Sequence, residues 1–233
     1  MVGIFALAGG DEFGASYAES DRALIALLPL EQQRIVIVPT AAGRQGPEVA
    51  VANGVRHFHQ LAPRAIVEGV LVVDAASAND RQCAARIAAA GMVYLTGGDP
   101  GYLVHALRGS EALAAIAAVA ARGGIVAGSS AGAMALGEMM RWGERWEAGL
   151  GLVRRVVVLP HHPERPATLA ITRAGLAEHI VALGIPVGVT CICQPASPHS
   201  DEGAVWRIVG AQPITIYRAE GVTQVQPNET FSL

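Results

Sequence analysis

Gly128, Ser130 and Gly132 stand in the pattern G-x-S-x-G, within the stretch Ile125-Val-Ala-Gly-Ser-Ser-Ala-Gly-Ala-Met-Ala-Leu-Gly137. An apolar run precedes them and a small-residue run follows. In that strand–turn–helix context the spacing lifts a serine hydroxyl to the edge of a sheet. The N–H of Ala131 could then donate to an oxyanion developing on an acyl carbon. The same residues would also suit a tight turn in which Ser130 does no more than cap a helix. A serine nucleophile needs a base, and Pro160-His161-His162-Pro163 follows another apolar run, Arg155 to Leu159. Neutral imidazole is the usual partner of such a serine. His57, His59, His105, His179 and His199 fall in helical or late-loop segments, where surface or core roles suit them better. Adjacent histidines with no spaced Cys, Asp or Glu make a poor zinc site, so neither a metal nor another cofactor is expected.

A second glycine turn, Leu95-Thr-Gly97-Gly98-Asp99-Pro100-Gly101, also ends an apolar run. Gly98 is the candidate for a further oxyanion donor, because glycine lets a substrate approach the backbone closely. Asp99 would either meet substrate or cap the following helix. Arg165, just past the histidines, could hold a substrate carboxylate in a two-pronged contact, or lie on the surface as an ordinary arginine.

Positioning these residues requires strands that end near one another. Short apolar runs recur at Ile4–Leu7, Arg34–Val38, Val70–Val73, Met92–Leu95, Gly124–Ala127 and Arg155–Leu159, each bounded by Gly, Pro or Asp. They read as buried strands. Between them lie helical stretches: Ser20–Leu28 with Ser20 as cap, Glu48–Leu61, a run from Asn79-Asp80 to Ala90, Ser110–Ala121, and a late helix Pro166–Leu183. Strands alternating with helices predict an α/β fold, a doubly wound, mostly parallel sheet with helices on both faces and ligands at the carboxyl ends of its strands. Ala204–Val209 and Pro213–Arg218 predict a C-terminal β-hairpin turning at Gly210. The polar segment Gln194–Gly203 reads as a loop.

The 233 residues are 52% hydrophobic and 16% charged, which allows a large core in a single domain over residues 1–233. A net charge of −3 gives no general attraction to nucleic acid or to acidic lipid. Three cysteines, two of them a residue apart at Cys191 and Cys193, do not suit a disulfide framework, so a reducing, cytoplasmic location is expected. The opening apolar stretch, broken by Gly9-Gly10, reads as a first strand rather than a signal peptide. No run approaches the ~18 apolar residues of a membrane helix.

The order of glycine turn, Gly128-Ser-Ser130-Ala-Gly-Ala elbow, Gly149-Leu-Gly151-Leu and Pro160-His161 resembles the dipeptidase E and cyanophycinase family of serine peptidases, from Gly9-Gly10 to about Arg165. The resemblance implies the class I glutamine amidotransferase-like fold, Ser130 as nucleophile and His161, rather than His162, as base. It implies a small peptide substrate, with an aspartyl peptide as the candidate; a homodimer stays open. The family places an acid between serine and histidine. Here Glu144 fits by spacing, ahead of Glu147 and then Glu138. Two departures bear on specificity. Pro100 stands where glutamine tends to follow Gly-Gly-Asp, and Gly188-Val-Thr190-Cys191 stands where Gly-Ile-Asp-Glu is usual. A glutamine amidotransferase would carry cysteine at position 130. A binding or structural protein that keeps the fold without catalysis is the rival from another class.

Overall fold

The computed structural model describes residues 3–142, 145–162, 176–195 and 204–233. Four- and five-residue runs of Val, Ile, Leu and Met are too short for stable helices, but they fit a parallel ladder covered on both faces. They form it here. The first half alternates β1 (Ile4–Ala8), α1 (Ala18–Ala26), β2 (Arg34–Val38), α2 (Pro47–Leu61) and β3 (Ile66–Gly69). Then come α3 (Ala75–Ala78), α4 (Arg81–Ala88), β4 (Met92–Leu95), α5 (Pro100–Leu107), α6 (Glu111–Ala121), β5 (Ile125–Ser129) and α7 (Ala131–Leu136). Capping side chains start several helices: Asp80 accepts from the Gln82 and Cys83 N–H groups, Asp99 from Tyr102, and Ser110 from Leu113. Ser20 does not cap α1. It lies inside the helix, where its hydroxyl bonds the Tyr17 carbonyl.

The second half is mostly strands: β6 (Met139–Trp142), β7 (Arg145–Ala148), β8 (Val156–Pro160), β9 (Val181–Ile185) and β10 (Thr190–Gln194). β11 (Val205–Val209), β12 (Ile214–Tyr217), β13 (Val222–Val225) and β14 (Thr230–Phe231) complete the order. The main sheet runs β14-β11-β10-β1-β5-β4-β2-β3; β1 to β5 are parallel, and the other edge is antiparallel. A second sheet runs β13-β12-β9-β8, and β6 pairs with β7 alone. One face of the main sheet packs Leu24, Phe58, Ile37, Tyr94 and Ala127 together. The other joins Val36, Leu95, Val126 and Ile116 to Val158 and Leu183 of the second sheet.

Three expectations shift. The strand placed at Val70–Val73 is β3, four residues earlier. Beyond Gly69 the Val72 N–H turns back to the Val70 carbonyl at 2.7 Å, which pulls the chain off the ladder while Val70 and Val72 stay buried. The late helix does not reach Leu183: Val181–Ile185 pairs in parallel with β8, a short apolar run whose pattern alone fits helix or strand. Residues 166–175 of that expectation lie outside the described residues. The terminal hairpin exists, but one strand later. β11 and β12 belong to different sheets, and β12 turns back into β13 through Arg218 and Gly221.

Candidate active site

Parallel register brings the carboxyl ends of β1, β5 and β4 to one edge, with Ala8 opposite Ser129 and Leu95 opposite Gly128. Ser130 is the next residue out. Its φ of 48° and ψ of −110° are strained for a side chain with a Cβ. The two pattern glycines explain how the turn closes. A Cβ on Gly128 would lie 2.6 Å from the Gly132 carbonyl carbon, and one on Gly132 would lie 2.4 Å from the Leu95 carbonyl oxygen. The Ser130 N–H donates to the Ala8 carbonyl at 3.0 Å, and its carbonyl accepts from Met134 at 2.9 Å. Its hydroxyl caps nothing in α7. It meets Nε2 of His161 at 3.1 Å.

His161 follows the end of β8, held by its N–H to the Gly9 carbonyl at 2.7 Å and with a φ of 53°. Its ring lies over the α-carbon of Gly10, where a Cβ would be 2.2 Å from Cε1. Gly10 is held in turn. Its carbonyl accepts from the Tyr17 hydroxyl, which itself accepts from the Gly188 N–H at 2.9 Å. Tyr17 is fully enclosed, and burial pushes its phenol up to about 12. His162 faces the second sheet instead. Its Nε2 bonds the Tyr217 hydroxyl at 2.8 Å, and its ring sits on Gly184.

Glu144 and Arg165 lie outside the described residues. The Glu138 carboxylate accepts from the Arg155 N–H at 2.8 Å and faces His179 at 3.9 Å, whereas Glu147 lines a groove with Gly101, Val104, His105 and Arg108. Among the described residues no carboxylate forms an ion pair with His161. Asp99 is spent on its cap, its Oδ1 accepting from Tyr102 at 2.9 Å. Gly98 has a φ of 136°, and a Cβ there would collide with the Ala41 carbonyl at 2.2 Å. Ala131 is buried in the first turn of α7. Among the described residues no group of His, Cys, Asp and Glu could hold a metal.

One residue at the site was not singled out from the sequence. Glu12 reaches across the edge so that its Oε1 accepts from the Gly97 N–H at 2.6 Å. The available signal was topological: Glu12 follows the Gly9-Gly10 turn at the carboxyl end of β1, beside the strand that leads to Ser130.

A serine hydroxyl on a strained strand-to-helix turn, hydrogen-bonded to an imidazole from a second sheet, is the constellation of a serine hydrolase. The chain belongs to Peptidase family S51, whose family model matches residues 4–183, and it is a serine peptidase. The fold is similar to that of a peptidase from an acI-B1 Actinobacterium, with TM-score 0.81 and 24% identity over 100% of this chain and 98% of that one. It is also similar to a putative peptidase E protein from Listeria monocytogenes EGD-e, with TM-score 0.57 and 16% identity over 97% and 99% of the two chains. No curated protein matches the chain. Among the described residues no single helix is long and apolar enough to cross a membrane.

Proposed function

We propose that the chain hydrolyses small peptides by acyl transfer through Ser130, and that an aspartyl peptide is the substrate to try first. The observation that carries this reading is the 3.1 Å contact between the Ser130 hydroxyl and Nε2 of His161. The imidazole takes the hydroxyl proton as the oxygen attacks the scissile carbonyl, then gives that proton to the leaving amine. Water repeats the sequence on the acyl-enzyme. Backbone N–H groups of Ala131 and Gly98 receive the oxyanion. Glu144 orients the base, and Arg165 pairs with a substrate carboxylate. The aspartyl preference and the Glu144 assignment rest on the resemblance to dipeptidase E.

The experiment compares Ser130→Ala with Ser129→Ala on aspartyl dipeptides, together with a fluorophosphonate label. Ser130→Ala is expected to lose both turnover and labelling while its melting profile stays that of the wild type. Ser129→Ala, whose hydroxyl is buried behind the turn, keeps both in part. Undiminished turnover in Ser130→Ala would overturn the assignment.

A further inference from the structure

Gly97 lies beside Ser130 at the sheet edge, and its α-carbon is approached from one side by two groups. A Cβ on Gly97 would be 3.1 Å from one oxygen of the Glu12 carboxylate and 3.5 Å from the Ser130 Cβ. One Glu12 oxygen is fixed by the Gly97 N–H. Among the described residues no other hydrogen bond reaches the carboxylate, and no cationic side chain pairs with it. It is half-buried. Its charge is felt inward: burial is what chiefly holds up the phenols of Tyr17 and Tyr94, Asp21 adds to this at Tyr94, and Glu12 makes a smaller contribution at both. A half-buried carboxylate with no cationic partner among the described residues is placed to attract a cation arriving with the substrate.

The distances say which cation fits. In a peptide cleaved after its first residue, the ammonium nitrogen is two bonds, about 2.5 Å, from the carbonyl carbon under attack. The serine oxygen reacts from about 3–3.5 Å. Each further residue would carry the ammonium about 3.3–3.6 Å farther off. A carboxylate fixed beside the nucleophile therefore lies in the range of the first residue's ammonium. We infer that Glu12 binds the free α-ammonium of the substrate and so restricts cleavage to the first peptide bond. This inference rests on Ser130 as the nucleophile. It also has an electrostatic consequence. Without an ammonium, the Glu12 charge stands near the place where the oxyanion develops and opposes it.

The test uses aspartyl p-nitroanilide, its N-acetyl counterpart and the fluorophosphonate label, on wild type and Glu12→Gln. Wild type is expected to favour the free amine. Glu12→Gln is expected to lower kcat/KM on the free-amine substrate by roughly ten- to a hundredfold, mainly through KM. On the acetylated substrate it should match or exceed wild type. A merely structural role for Glu12 would depress both substrates alike, and that result overturns the inference. So does a wild type that labels at Ser130 but treats both anilides alike or cleaves neither; the nucleophile assignment then survives. Failure of wild type to label overturns both.

Discussion

His161 and His162 are separated by one peptide bond, and they face different sheets. The positive φ at His161 turns its ring toward Ser130 and Gly10, and the next residue returns to β9 through its N–H to the Ile185 carbonyl at 3.2 Å. His162 is consequently pressed among Gly184 and Tyr217, and burial holds its imidazole below the usual histidine range. The sign of the pH effect follows. In the unfolded chain this histidine takes its proton near the ordinary value of about 6.5, before the folded protein does. Its contribution to stability is therefore whole above that pH and is lost as the pH falls toward the depressed folded value. Melting temperatures measured from pH 8 to pH 5 should decline on the acid side. His162→Phe, which keeps a ring against Gly184 and Tyr217 but cannot titrate, should show a flatter decline. Parallel curves for the two proteins would show that His162 does not set this dependence.

At the scale of the element, the Ser130–His161 pair is held by turns, and the turns depend on close backbone approaches. Gly10 shows this most directly, because its φ of 128° and the ring over its α-carbon both exclude a side chain. Gly10→Ala should displace the His161 ring and lower kcat by orders of magnitude while the protein still folds; an unchanged kcat would mean that the ring has room to yield. This dependence also explains what the sequence could tell. The turn at Gly128-Ser-Ser130-Ala-Gly132 was legible because the glycines that permit it are local to the serine. Asp80 and Ser110 were legible as helix starts for the same reason, whereas Asp99, open between substrate contact and cap in the sequence, is a cap. Glu12 was not, because it acts on Gly97 from a distant segment, and only the parallel register makes the two neighbours. The shortfalls among the strands have a similar origin. Val181–Ile185 is apolar enough for either state, and its pairing with β8 decides between them. Likewise β11 and β12 look like consecutive hairpin strands, yet each has stronger partners in a different sheet.

At the scale of the molecule, Ser130 and His161 come from different sheets, so the distance between them depends on how those sheets are packed. Ser130 extends from β5 of the main sheet, and His161 from β8 of the second. The link between the sheets is apolar: Leu95 and Val126 of the first share one cluster of buried side chains with Val156, Val158 and Leu183 of the second. Backbone bonds around α7 add to it, with Glu138 N–H to the Val156 carbonyl at 3.0 Å and Val153 N–H to the Leu136 carbonyl at 2.8 Å. A core shared in this way predicts one cooperative unfolding transition, with neither sheet melting ahead of the other. Leu183, fully buried in β9, is the place to test the idea. Leu183→Ala should cost about 2–5 kcal/mol, from lost burial and from the cavity left behind. Calorimetry should show the whole transition moving to lower temperature as a single peak. Activity measured well below that transition should also fall, because a looser packing of β9 against β8 widens the range of positions open to His161. Two resolved peaks, or a variant that melts early yet keeps full activity, would mean that the sheets are held together by something other than this core.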